Sequence, residues 1–95
     1  MPYRVLVIDD ETAIREAIRM TLEYEGYRVD EARGGQDGLD KATKTAYDAI
    51  LLDIKMPVLD GIEVLENLKE QRVAAPVVMV SGHGDISTAD RKSVV

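Results

Sequence analysis

A chain of 95 residues with net charge −6 and with no Cys, Trp or Phe has room for one domain, spanning 1–95, and one aliphatic core. The lack of cysteine excludes a disulfide framework, a zinc ribbon and a thiol nucleophile, and suits a reducing, cytoplasmic setting. Lys and Arg are scattered and outnumbered, which argues against duplex DNA as a partner of this segment; no apolar run approaches the ~20 residues of a membrane-spanning helix, so no membrane is expected.

The chain opens on Tyr3-Arg4-Val5-Leu6-Val7-Ile8, a β-branched apolar strand that ends in three acids, Asp9-Asp10-Glu11. From Glu11 to Tyr24 apolar residues fall at steps of three and four, predicting a helix with Ile14, Ala17, Ile18 and Leu22 inward and Arg15, Glu16, Arg19 and Glu23 on the solvent face. Gly26 suits a left-handed helix cap, and residues 27–32 alternate loosely, as an edge strand with one wet face would. After the Gly34-Gly35 turn, Gln36 to Lys44 reads as a short helix weakened by Gly38.

Ala49-Ile50-Leu51-Leu52 is an apolar run too short for a helix and reads as a strand buried on both faces, ending on Asp53. Pro57 forces a loop, Asp60 can cap the next helix, and Gly61 to Gln71 places Ile62, Val64, Leu65 and Leu68 for burial. Val77-Val78-Met79-Val80-Ser81 is a fourth strand, Gly82-His83-Gly84-Asp85 a loop, and Ile86 to Lys92 the start of a fourth helix. Alternation of strand and helix predicts an α/β, doubly wound parallel sheet with right-handed crossovers. In the flavodoxin-like strand order 2-1-3-4 the topological switch point lies between the first and third strands, the two that end in Asp. Asp9, Asp10 and Asp53 then share a pocket, and three carboxylates in one place call for a hard divalent cation.

Val7-Ile8-Asp9-Asp10-Glu11, Leu51 to Pro57, Leu59-Asp60-Gly61 and Val78 to Gly82 together resemble the receiver domain of two-component response regulators, over nearly the whole chain. Ser81 to Ala89 is further similar to receivers attached to sigma-54-dependent transcription activators. The resemblance implies that Asp53 accepts a phosphoryl group from a sensor histidine kinase. It implies that Asp10 holds Mg2+ directly and Asp9 through water, that Lys55 lends its main-chain carbonyl, and that Ser81 bonds the phosphoryl oxygens. Such a module is a signalling domain rather than an enzyme, with slight self-catalysed phosphotransfer and hydrolysis. His83, in a glycine loop, reads as a solvated residue.

The pattern is left after Ala89, where the family would continue to a fifth strand with a Lys and a fifth helix; the expectation is a receiver incomplete at its C-terminus. Two rivals follow: a phosphorylation-incompetent interaction domain, and an aspartyl-phosphate phosphatase, whose Asp-x-Asp-x-Thr pattern Asp9-Asp10-Glu11-Thr12 does not match. A bare edge on the fourth strand would also favour homodimers or strand exchange, unless Ser93-Val94-Val95 folds back to cover it.

Overall fold

The computed structural model describes residues 3–53, 61–80 and 86–88. Elements follow in the order β1 (Arg4–Ile8), α1 (Thr12–Tyr24), β2 (Arg28–Ala32), α2 (Gly35–Lys44), β3 (Ala49–Asp53), α3 (Gly61–Glu70), β4 (Val77–Val80) and β5 (Ile86–Thr88). β1 to β4 pair in parallel in the order 2-1-3-4, as expected from the alternation. The residues expected at Lys55, Asp60, Ser81 and His83, and the tail Ser93-Val94-Val95, lie outside the described residues. Among the described residues no helix is long and apolar enough to cross a membrane.

Register explains why the two acidic strand ends meet. Ile8 pairs with Leu52 and with Ala32, so Asp9 and Asp53, each one residue further on, stand level at the C-terminal end of the sheet. Beneath them Leu6, Ile8, Ile50 and Leu52 are completely enclosed, packed with Leu39 and Ala42 of α2 and Val64 and Leu68 of α3. Each such side chain contributes roughly 1.5–3 kcal/mol of burial. The run Ala49–Leu52 is less uniformly buried than its composition suggests: Ile50 and Leu52 face this core, whereas Ala49 and Leu51 are half-buried on the sheet's other face.

Two expectations are corrected. Ile86–Thr88 is not the start of a helix but a short strand, antiparallel to β4, with Val80 opposite Ile86 and Val78 opposite Thr88. The five residues between Val80 and Ile86 are enough for an antiparallel return, whereas a parallel fifth strand needs a crossover of a dozen or more. The β4 edge therefore has a partner from its own chain along Val78–Val80, and the bare edge on which strand exchange was expected is not there. The second correction concerns part of the inward face of α1, where Ile18 and Leu22 are half-buried as expected but Ile14 and Ala17 are exposed. Its single buried residue is Arg15, expected in solvent, while Ile14, expected inward, is 37% exposed.

At the opposite end of the sheet Tyr47 locks three strands together. Its hydroxyl donates to Asp30 Oδ2 at 2.6 Å, and Arg4 lies over its ring and 3.5 Å from the same carboxylate. Burial, with the bond to Asp30, pushes the Tyr47 phenol up to about 12, so it is a permanent donor there. A cleft of about 280 Å³ lies beyond it, between the ends of α2 and α3 and away from the carboxylates.

Gly38, a propensity defect on sequence grounds, has a packing reason: a Cβ there would come within 2.4 Å of Ile8 Cδ1. Gly38→Ala should gain about 1 kcal/mol of helix propensity and lose ~1–3 kcal/mol to overpacking. The expected outcome is a lower melting temperature; one equal to or above wild type would show that Ile8 yields freely.

Candidate functional site

β1 carries Asp9 out of the core still buried, at 3% exposure, and β3 does the same for Asp53, at 7%. Asp10, in the turn into α1, is more exposed than either. One carboxylate oxygen from each of the three lies within 4.8 Å of the other two. The sequence-predicted residues Asp9, Asp10 and Asp53 are thus brought together, while Lys55 and Ser81 lie outside the described residues.

Asp9 is held at three points. Its N–H donates to the Ala32 carbonyl at 3.1 Å, which extends the β1–β2 ladder by one residue. Its Oδ1 accepts from the Glu11 N–H at 2.8 Å, so the Asp9 side chain organises the turn that launches α1, where Glu11 itself makes no side-chain cap. Its carbonyl accepts from Arg15 Nη1 at 2.8 Å. Burial, and then repulsion from Asp53, Asp10 and Glu11, push the Asp9 carboxyl up to about 6, against the lowering effect of the Glu11 N–H.

Such a donor set fits a hard divalent cation. Three carboxylate oxygens at this separation are oxygen ligands of the kind that Mg2+, Mn2+ or Ca2+ take.

Sequence reasoning missed Arg15 and its partner Glu31. The Arg15 Nε donates to Glu31 Oε1 at 2.7 Å, and Arg19 Nε lies 2.6 Å from Glu31 Oε2, making one carboxylate the bridge between two guanidinium groups. The apolar residues of α1 spread over too wide an arc to fix which face turns inward. A usable signal was in β2: Glu31 pairs with the buried Val7, on the α1 face of the sheet, where a carboxylate needs a cationic partner.

The model of the family "Response regulator receiver domain" matches residues 5–93. The chain belongs to that family. The receiver is 44% identical over 82 residues to the transcriptional regulatory protein ResD of Bacillus subtilis, a match that covers 86% of this chain and 34% of that protein. It is 38% identical over 87 residues to the response regulator MprA of Mycolicibacterium vanbaalenii, covering 92% of this chain and 38% of the relative. The chain therefore spans little more than a third of the length of these curated relatives. Among solved structures it is similar to a CheY-like receiver domain from Methanospirillum hungatei, with 35% identity and a TM-score of 0.82 over 90% of this chain and 68% of that one. It is also similar to the response regulator TrrA of Thermotoga maritima in complex with Mg2+-BeF, with 36% identity and a TM-score of 0.80, covering 87% and 73% of the two chains.

The raised Asp9 carboxyl has a measurable consequence in metal-free buffer. Because its folded value, about 6, lies above its ordinary 3.8, the folded receiver binds that proton more tightly than the unfolded chain does. The resulting stabilisation is complete below about pH 4 and is lost as the pH rises through about 6. Relative to Asp9→Asn, in which nothing titrates at this position, the wild-type melting temperature should fall across that window; parallel curves for the two proteins would show that the carboxyl is not strained.

Proposed function

We propose that this receiver takes a phosphoryl group on Asp53 from the phosphohistidine of a sensor histidine kinase, in a reaction that depends on a divalent cation, Mg2+ in the cell. The observation that carries this reading is the meeting of Asp9, Asp10 and Asp53 at the C-terminal ends of two adjacent buried strands, with Asp53 at the end of the central one. Asp9 and Asp10 would hold the cation beside Asp53, and its role when bound is to neutralise charge on the transferring phosphoryl group.

Asp53 supplies the nucleophile. One of its carboxylate oxygens forms the new bond to phosphorus as the phosphorus–nitrogen bond of the donor breaks, and the electron pair of that bond stays on the imidazole. Its position on a strand rather than on a loop fixes the line of attack, and its burial keeps water from competing for the donor. Phosphoryl transfer demands positioning and charge neutralisation more than covalent machinery, so a donor that arrives activated needs no nucleotide site here. Under the family pattern the Lys55 carbonyl completes the metal's ligands and the Ser81 hydroxyl bonds the phosphoryl oxygens. The acidic balance of the segment leaves DNA contact, in a longer protein of the transcriptional-regulator kind, to other parts of that protein. A cytoplasmic location completes the proposal.

Treatment with acetyl phosphate and Mg2+ should add about 80 Da to the wild type, located on Asp53 by mass spectrometry, and nothing to Asp53→Asn. Mg2+ at a hundred times its Kd should add about 2.7 kcal/mol of stability, most of it lost in Asp10→Asn. A label on His83 or Ser81 would refute the assignment of Asp53. No label on any residue would leave the domain as a phosphorylation-incompetent interaction module.

A further inference from the structure

Arg15 is the one buried residue of α1, and it is a charged one, 6% exposed on a helix that offers Ile14 and Met20 to solvent instead. Its guanidinium spans two elements. Nη1 donates to the main-chain carbonyl of Asp9 at 2.8 Å and Nε to Glu31 Oε1 at 2.7 Å, which ties the end of β1 to β2 through a side chain of α1. Burying a guanidinium is costly unless its donors are met, and a hydrophobic residue would fill the position more cheaply if packing were its whole purpose.

We propose that Arg15 is a positioning residue for the metal and phosphoacceptor site. The inference rests on the reading of Asp9, Asp10 and Asp53 as that site, and adds to it the device that aligns the ligands. The carbonyl that Arg15 holds belongs to the peptide unit joining Asp9 to Asp10. Because that unit is planar, fixing its carbonyl fixes the orientation of the whole plane and so where the Asp10 Cα begins. Among the described residues, with the Asp9 N–H held by Ala32 and the Asp9 carboxylate by the Glu11 N–H, the Arg15 bond adds the constraint on the peptide between the two acids. One hydrogen bond thus sets the relative placement of two carboxylates that repel each other and would otherwise move apart. Glu31 holds Arg15 in turn, and the second Glu31 oxygen is taken up by Arg19.

The test compares wild type, Arg15→Gln, Arg15→Lys and Arg19→Gln by titration with Mg2+ alone, and by the rate of acetyl phosphate labelling at saturating Mg2+. Losing the support of a metal ligand weakens binding by tenfold or more in other metal sites, so Arg15→Gln should raise the Mg2+ Kd about tenfold and slow labelling. Arg15→Lys keeps the charge but lacks the planar fork that reaches Asp9 and Glu31 together, and should be weakened as well. Arg19→Gln, which leaves the Arg15 bond to Asp9 in place, should bind Mg2+ as the wild type does.

A purely structural Arg15 would lower the melting temperature equally with and without Mg2+ and leave the Kd where it was. An Arg15→Gln Kd within about twofold of wild type therefore overturns the inference, as does equal weakening in Arg19→Gln. Should Arg15→Gln not fold, Arg15→Lys is judged by the same threshold. A wild type that binds no Mg2+ overturns the underlying site reading and this inference together, whereas wild-type binding that the Arg15 variants leave untouched overturns this inference alone.

Discussion

Repulsion among three carboxylates held at the end of a rigid sheet is the constraint on which the site depends. Asp9 and Asp53 cannot relax away from each other, because each is the immediate continuation of a strand whose preceding residue is enclosed in the core: Ile8 in one case, Leu52 in the other. The energy of the sheet is therefore set against the electrostatics of its C-terminal edge. Water would ordinarily disperse such charge, but Asp9 and Asp53 are both nearly inaccessible to it. Burial first, and then repulsion from Asp53, Asp10 and Glu11, push the Asp9 carboxyl up to about 6 in the folded chain. Clustered oxygen donors of this kind favour whatever brings positive charge.

The guanidinium behind this edge is not turned toward the Asp9 carboxylate. Among the described residues the buried cation Arg15 spends its donors on a main-chain carbonyl and on Glu31. Had it paired with Asp9 or Asp53 directly, it would have offset one of the three carboxylates and weakened the pocket's pull on an external cation. A guanidinium behind the peptide rather than in front of the carboxylate can hold the backbone without pairing with the Asp9 side chain. Glu31 has a part in this: by taking Nε of Arg15, and with its other oxygen close to Arg19, it keeps the guanidinium turned away from the pocket.

Core and site are coupled through the last residues of the strands. Ile8 fills the gap left by Gly38 of α2 and is followed at once by Asp9, so a methyl group added in α2 would press on the residue next to the carboxylate cluster. The fold places its tightest packing directly beneath its chemistry. On the other face Val5 and Val7 are buried as well, while Leu51, Val78 and Val80 are half-buried.

The parallel architecture was legible in the sequence because it rests on local signals. Apolar runs of four to six residues, punctuated by Gly and Pro and alternating with helical spacing, leave few topologies open, and the two strands ending in Asp single out the switch point. Asp9, Asp10 and Asp53 were legible for the same reason, since a carboxylate at the end of a buried strand stands out without reference to anything distant. What only the tertiary structure decided was which of two overlapping faces α1 turns inward and what the edge of β4 would accept. The first depended on Glu31, sixteen positions from Arg15, needing a cation on the α1 side of the sheet. The second depended on unpaired backbone groups of Val78–Val80, whose demand for partners outweighed the local helical pattern after Ile86 and drew Ile86–Thr88 into an antiparallel strand. In both cases a polar group in another element set the outcome, and spacing within a single segment carries no information about such a partner.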